Sequence, residues 1–351
     1  MTRIIKKVAI MITATALICC AAMGCNNEGK FDINNTREEQ TSNSLKAPAE
    51  TQFEISVTDS SMFEYKFDSE LNGMTITNYL GESLEVRIPN TLENKDVVAI
   101  RFDKLEKELT QLVMPDSIKF FVFSQTIRES LEYVNIPRSS VSYLSEYGEI
   151  GVRSENFSGY SSLKSITIPN TVIYIDSFAF DGCTSLKAIN VEEGNPVLRS
   201  VDGILCKITH DDNLCVIICP EGKSGNIVIP NGVNEIGIRS FENCNNITSI
   251  TIPSSVTAID ELAFSKCTNL SSVVIQNGVT DIYRRAFADC ISLKSINIPD
   301  TVTDIGIAID GLTIWYGDDI FNNCESLTNI TYKDKTYDYE HVEELYEEIN
   351  N

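Results

Sequence analysis

The chain has 351 residues, with 28 basic and 50 acidic side chains and a formal charge of -22. Such a surface repels phosphate backbones and anionic headgroups, which argues against nucleic acid as a partner. A hydrophobic content of 42% suffices for a core, and two histidines with one tryptophan leave little for acid–base chemistry or for aromatic sugar platforms.

Residues 1–24 read as an export signal, with Arg3, Lys6 and Lys7 ahead of the short apolar run Val8 to Ala22. Ala22-Met23-Gly24-Cys25 resembles a bacterial lipobox, which implies a lipid anchor on Cys25. The other reading is ordinary signal cleavage, with Cys25 a plain cysteine. Residues 25–50 are rich in Asn, Glu, Thr and Ser and nearly devoid of apolar side chains, so they read as a disordered tether. A flexible coil of that length spans roughly 25–30 Å.

Residues 51–100 alternate polar and apolar side chains: Phe63, Tyr65 and Phe67, then Met74 and Ile76, then Val86 and Ile88, with a turn at Asn72-Gly73. That predicts a strand-rich N-terminal cap, which a stacked array needs at its open end. From Leu109 a head motif, L-x-x-I-x-I-P, recurs at Leu109, Leu131, Leu163, Leu186, Ile247, Leu270, Leu293 and Leu327. The intervals are 22, 32, 23, 61, 23, 23 and 34 residues, so the unit is 23 and the longer gaps hold insertions. A fixed period in this range is the mark of a solenoid. The array is predicted over 101–337, with insertions near 140–155, 193–228 and 306–318. Val201 to Pro220 reads as a projecting hairpin around Asp211-Asp212-Asn213. Residues 338–351 close the array with a short helix, because Val342, Leu345, Tyr346 and Ile349 fall on one face.

Within a unit the two isoleucines of I-x-I face the core, proline ends the strand, and V-x-x-I turns the chain back. Ala-Phe-x-x-Cys then closes the coil, as in Ala179-Phe180 with Cys183, Ala263-Phe264 with Cys267 and Ala286-Phe287 with Cys290. One unit cannot bury its own apolar face, so stability requires stacking. These motifs, with the Ser200-Val201-Asp202-Gly203 turn and the Tyr332-Lys333 to Ile349 ending, resemble the BspA-like leucine-rich repeats of bacterial surface proteins. The resemblance implies an α/β repeat solenoid: a right-handed, strand-rich coil with short turns, a β-rich N-terminal cap and a short C-terminal helix. It also implies adhesion or protein binding at the cell surface, with no catalytic residues to carry over.

No nucleophile stands near a base in this pattern, so no enzyme activity is expected, and no cofactor. Cys183, Cys244, Cys267, Cys290 and Cys324 share one phase; they are expected as free, buried thiols pointing inward in parallel, not toward each other. Cys206, His210, Cys215 and Cys219 match no strong zinc spacing and are expected to pack as strand residues, with a Cys206–Cys219 disulfide as the alternative. The acidic runs at Glu343–Glu344, Glu347–Glu348 and Asp211–Asp212 lack the alternating ligands of a calcium loop, so no metal site is expected. The strand face opposite the core carries Ser165, Thr167, Ser249, Thr251, Ser272, Ser295, Asn297, Asn329 and Thr331. Such a row is the usual binding surface of a solenoid, or it merely solvates the sheet. Trp315 and Tyr316 in one insertion, and Tyr143 and Tyr147 in another, are candidate recognition aromatics or packing groups. The expected partner is a protein or glycoprotein, with the membrane reached through Cys25; the alternatives are an envelope scaffold and a carbohydrate-binding surface component.

Overall fold

The structure, a computed structural model, describes residues 55–139, 151–152, 154–209, 212–310, 313–315 and 320–350, all within one compact unit. The expected signal and tether, Cys25, Tyr143, Tyr147, His210 and Tyr316 lie outside the described residues. Trp315 is placed by its backbone alone, opposite Ala308.

The repeat becomes a coil of about nine turns. The head motif forms one parallel ladder. Gly225–Val228, Ile247–Ile252, Ser272–Ile275, Ser295–Ile298 and Asn329–Tyr332 pair in succession, so that Ile250, Val273, Ile296 and Ile330 align. Proline ends three of these strands, at Pro230, Pro253 and Pro299, and its carbonyl accepts from the valine N–H three residues on, as Pro253 does from Val256 and Pro299 from Val302. The V-x-x-I segment does more than turn. Val233–Ile236, Ala258–Ile259, Asp281–Tyr283 and Asp304–Asp310 form a second parallel ladder. Among the described residues the third side has no strands, yet it is bonded coil to coil: Phe241 N–H donates to Ala263 at 2.8 Å and Phe264 N–H to Ala286 at 2.7 Å.

The buried residues sort into two clusters, one running from Phe63 to Ile218 and the other from Ile204 to Ile349. In the second, Phe241, Phe264, Phe287 and Phe321 stack with centroids 4.8, 5.1 and 6.0 Å apart. In the first, Phe102, Phe121, Phe123, Phe157, Tyr160 and Phe180 fill the same axis at mixed tilts. The consensus fails there because the corner is turned differently. A helix, Gln125–Ser130, replaces Ala-Phe-x-x-Cys. Ser124 caps it, accepting the Ile127 N–H and donating its hydroxyl proton to Leu105 O at 2.6 Å.

The β-rich cap is continuous with the coil. Phe63–Asp68 and Gly73–Tyr79 form a hairpin, and Gly73–Tyr79 is also the first strand of the second ladder, parallel to Lys95–Phe102 and then Phe120–Phe123. Glu85–Arg87, Gln111–Val113 and Tyr133–Val134 start the first ladder, and Thr58 covers its edge by bonding Arg87 N–H and C=O. At the far end Lys335–Tyr337 folds back on Asn329–Tyr332, and the helix Val342–Asn350 buries the four apolar residues expected of it.

The hairpin expected to project does not. Leu198–Val201, Ile204–Ile208 and Leu214–Ile218 pair antiparallel, and the last joins the second ladder beside Val233–Ile236. Both of its faces are apolar: Leu198, Leu205 and Ile218 enter one core, while Ile204, Cys206, Val216 and Cys219 enter the other. A strand with two apolar faces belongs between two layers, so the insertion sits inside the stack. The insertion after Asp304 lengthens a ladder strand, with Ala308–Asp310 pairing only to Thr313–Trp315.

Candidate binding face

The outer face of the head-strand sheet carries two in-register columns. One is Asn226, Ser249, Ser272, Ser295 and Asn329; the other is Val228, Thr251, Val274, Asn297 and Thr331. Seven of the nine residues expected on this face therefore meet in one surface. Ser165 and Thr167 lie on a separate pair of strands, beside Ala188 and Asn190. Between the two surfaces sits the turn Val201–Ile204: Gly203 O accepts from Ile189 N at 2.9 Å, and Ser200 Oγ donates to Ile189 O at 2.6 Å. Gly203 is required there, since it has φ +75° and a Cβ would lie 2.9 Å from that of Ala188.

Not every polar group on the face is available. The Asn297 amide accepts from Ile275 N at 2.8 Å and donates to Ile275 O at 2.6 Å, so it serves the preceding coil as a neighbouring strand would. Asn135 does the same to Met114, and Asn350 to Ile305. Ser249 donates to Asn226 Oδ1 at 2.8 Å. Among the described residues, the side chains of Thr251, Ser272, Ser295, Asn329 and Thr331 make no hydrogen bond within the chain. Two residues that sequence reasoning passed over complete the surface: Val228 is 63% exposed and Val274 48%. Their signal was strand parity, because both sit between inward isoleucines or valines in the register of Thr251.

A second locus is the seam where the 61-residue interval interrupts the coil. In regular coils the residue before each column cysteine has positive φ, and its N–H reaches a carbonyl of the next coil, as Lys266 does to Ala288 at 2.8 Å. At the seam Gly182 N–H meets Glu221 Oε1 instead, at 2.8 Å. A cleft of about 20 Å³ opens there, lined by Phe178, Asp181, Cys219, Glu221, Arg239 and Ser240. Burial pushes the Asp181 and Glu221 carboxyls up from their ordinary values. Arg239 and Lys266 both pair with Glu242, at 3.0 Å each. Ser240 Oγ is buried without a partner.

The column cysteines are buried and face the core, and each also makes a polar contact. Cys183, Cys267, Cys290 and Cys324 donate S–H to the carbonyls of Phe157, Phe241, Phe264 and Phe287 at 3.0–3.1 Å. They are free thiols, as expected, and Cys244 Sγ lies 3.5 Å from Cys219 O. Cys206 and Cys219 are likewise free, so the alternative disulfide between them does not form.

On the second ladder, Glu235, Asp281 and Asp304 follow one register, with Asp260 beside Glu235. Burial, and then the Glu235 charge, push the Asp260 carboxyl up to about 8. Among the described residues no three of His, Cys, Asp or Glu converge as metal ligands, and no helix is long and apolar enough to cross a membrane. His341 Nδ1 lies 2.6 Å from Asp338 Oδ1 at the start of the last helix.

The BspA type leucine rich repeat model matches this chain in six copies, over residues 150–201 and 222–309. The repeats within those residues are of the BspA type. No curated protein matches the chain. Among solved structures it is similar to a leucine rich cell surface protein from Faecalibacterium prausnitzii, at 21% identity over 80% of this chain and 95% of that one, with a TM-score of 0.37. The pneumococcal vaccine antigen PcpA is 21% identical over 78% of this chain and 81% of its own, with a TM-score of 0.42. A leucine-rich repeat protein from Bacteroides capillosus is 28% identical over 38% of this chain and 96% of its own, with a TM-score of 0.32. The BspA-type matches stop at the edges of the hairpin insertion, and within them lie the columns through Ser295.

Proposed function

We propose that this chain is a non-enzymatic binding protein of the bacterial cell surface, anchored by lipid at Cys25 and receiving a protein or glycoprotein ligand on the Asn226–Thr331 face. The observation that carries the reading is the pair of in-register columns, where the unengaged hydroxyls of Thr251, Ser272, Ser295 and Thr331 and the Asn329 amide share a face with the exposed valines 228 and 274. Short side chains on a rigid ladder lose little entropy on binding, and scattered apolar groups add contact area. The lipobox-like Cys25 and the tether supply the location; the BspA-type repeats supply the class.

The test uses soluble chain 51–351 as bait against host-matrix and bacterial extracts, beside a Ser272→Arg/Ser295→Arg variant. A ligand retained by the wild type and lost by the variant supports the face. Equal capture by both removes it. The anchor is read separately, by acyl labelling of the full chain and of Cys25→Ala.

A further inference from the structure

Ser240 stands where other corners bury a methyl. Ala179, Ala263 and Ala286 hold that place in Ala-Phe-x-x-Cys and are fully buried, whereas Ser240 precedes Phe241 and Cys244. Its main chain is engaged, with Ser240 O accepting from Cys219 N–H at 2.6 Å and Ser240 N–H donating to Gly237 O at 3.2 Å. Its hydroxyl is not: the residue is only 2% exposed, and Oγ meets no protein partner. A buried hydroxyl left unpaired costs stability that an alanine does not, so this one points to a polar occupant of the seam cleft it lines.

Size and charge decide the chemistry of that occupant. At about 20 Å³ the cleft admits one group the size of a water molecule, which an ammonium is and a planar guanidinium is not. Its carboxylates outnumber its cations. Glu242 is shared by Arg239 and Lys266, and the Arg239 guanidinium also lies over the Phe178 ring, at 5.7 Å. Asp181 and Glu221 make no ion pair among the described residues. Glu221 is held next to Asp181 by the 2.8 Å bond that its Oε1 accepts from Gly182 N–H. Burial pushes both carboxyls up, and a cation beside them favours their ionised forms. Two carboxylates and a hydroxyl fall well short of the oxygen set that calcium takes. The surroundings are apolar: Phe178 is 41% exposed and Ile238, next to Arg239, 60%. A methylene stem can lie on such a rim with its charged head inside. We propose that the seam cleft binds a primary ammonium group, the head of a lysine side chain on a partner protein, with Ser240 Oγ and the Asp181 and Glu221 carboxylates as acceptors. The site lies on the third side of the coil and is independent of the Asn226–Thr331 face.

The experiment titrates the isotope-labelled full chain with Nα-acetyl-lysine methylamide and follows the backbone amide resonances of Gly182 and Ser240. The norleucine and arginine analogues, and potassium chloride at equal ionic strength, are run beside it. Saturable shifts at both amides are expected with the lysine compound and none with the others. Ser240→Ala, which installs the residue of the other corners and so keeps the fold, should weaken binding about tenfold. Glu221→Gln retains an acceptor for Gly182 N–H and should weaken it at least as much. Absence of a saturable shift with the lysine compound, or an equal response to norleucine, arginine or potassium, overturns the proposal. So does an unchanged affinity in Ser240→Ala.

Discussion

The coils between Ile247 and Asp300 and those between Gly73 and Tyr160 carry the same ladders by different means. In the regular region each corner is a turn whose phenylalanine stacks on its neighbours and whose cysteine donates to the previous phenylalanine carbonyl. In the irregular region a capped helix turns the corner at Gln125–Ser130, and aromatic rings at mixed angles fill the core, from 26° between Phe121 and Phe123 to 63° between Phe123 and Tyr160. What both retain is the continuity of main-chain bonds from coil to coil. The motif is one solution to the corner, and the ladder is the constraint that any solution must meet.

The largest effect should come from the stack. Phe264 is buried between two rings at 4.8 and 5.1 Å, and Phe264→Ala should cost about 3–5 kcal/mol in denaturant melts. Phe121→Ala should cost less, since Phe121 is 7% exposed where Phe264 is 1%, and its rim position lets its neighbours and water fill the space. An equal or reversed order would break the comparison. Ser124→Ala removes both a helix cap and the bond to Leu105 O, for a loss of about 1–2 kcal/mol measured in the same way.

Next comes pH. Asp260 has a folded value of about 8 against an ordinary 3.8, raised by burial and by Glu235, Glu261 and Asp281. The folded state therefore holds a proton that the unfolded chain has released. That contribution to stability is complete below about pH 4 and lost as pH rises through about 8. Tm should fall over this window in the wild type, and less steeply in Asp260→Asn; an unchanged slope would remove the assignment.

The smallest effect is a gain. Lys266 has φ +61° at the phase where Gly182 sits with φ +75°. Lys266→Gly should relieve strain and raise stability by about 0.5–1 kcal/mol, net of the glycine's entropy. A loss would show that the Lys266–Glu242 pair outweighs the backbone term.

Much of this was legible because period and parity are read one residue at a time. The inward isoleucines, the Ala-Phe-Cys corners and the apolar face of the last helix all stand where their spacing put them. Asn297 shows the limit. On parity alone it is one more outward polar residue, and only the neighbouring coil reveals that its amide is engaged by Ile275. The hairpin at 198–218 failed for a related reason. Alternation was read as a single buried face, while the intervening residues Leu205 and Ile218 were apolar enough to face a second core. The corner at 124–130 could not be read from the repeat, because a capped helix obeys local rules that share no letters with the consensus.

The Asn350 amide bears on how such a molecule stays finite. A parallel ladder is a template, and its last strand offers N–H and C=O groups that another strand could extend. At Ile305 both groups are taken by one side chain, at 3.1 and 3.2 Å. A single asparagine thus takes the main-chain bonds of a following strand at this residue, as Asn297 does at Ile275 within the array. It occupies the place at Ile305 where the main chain of a further coil would bond.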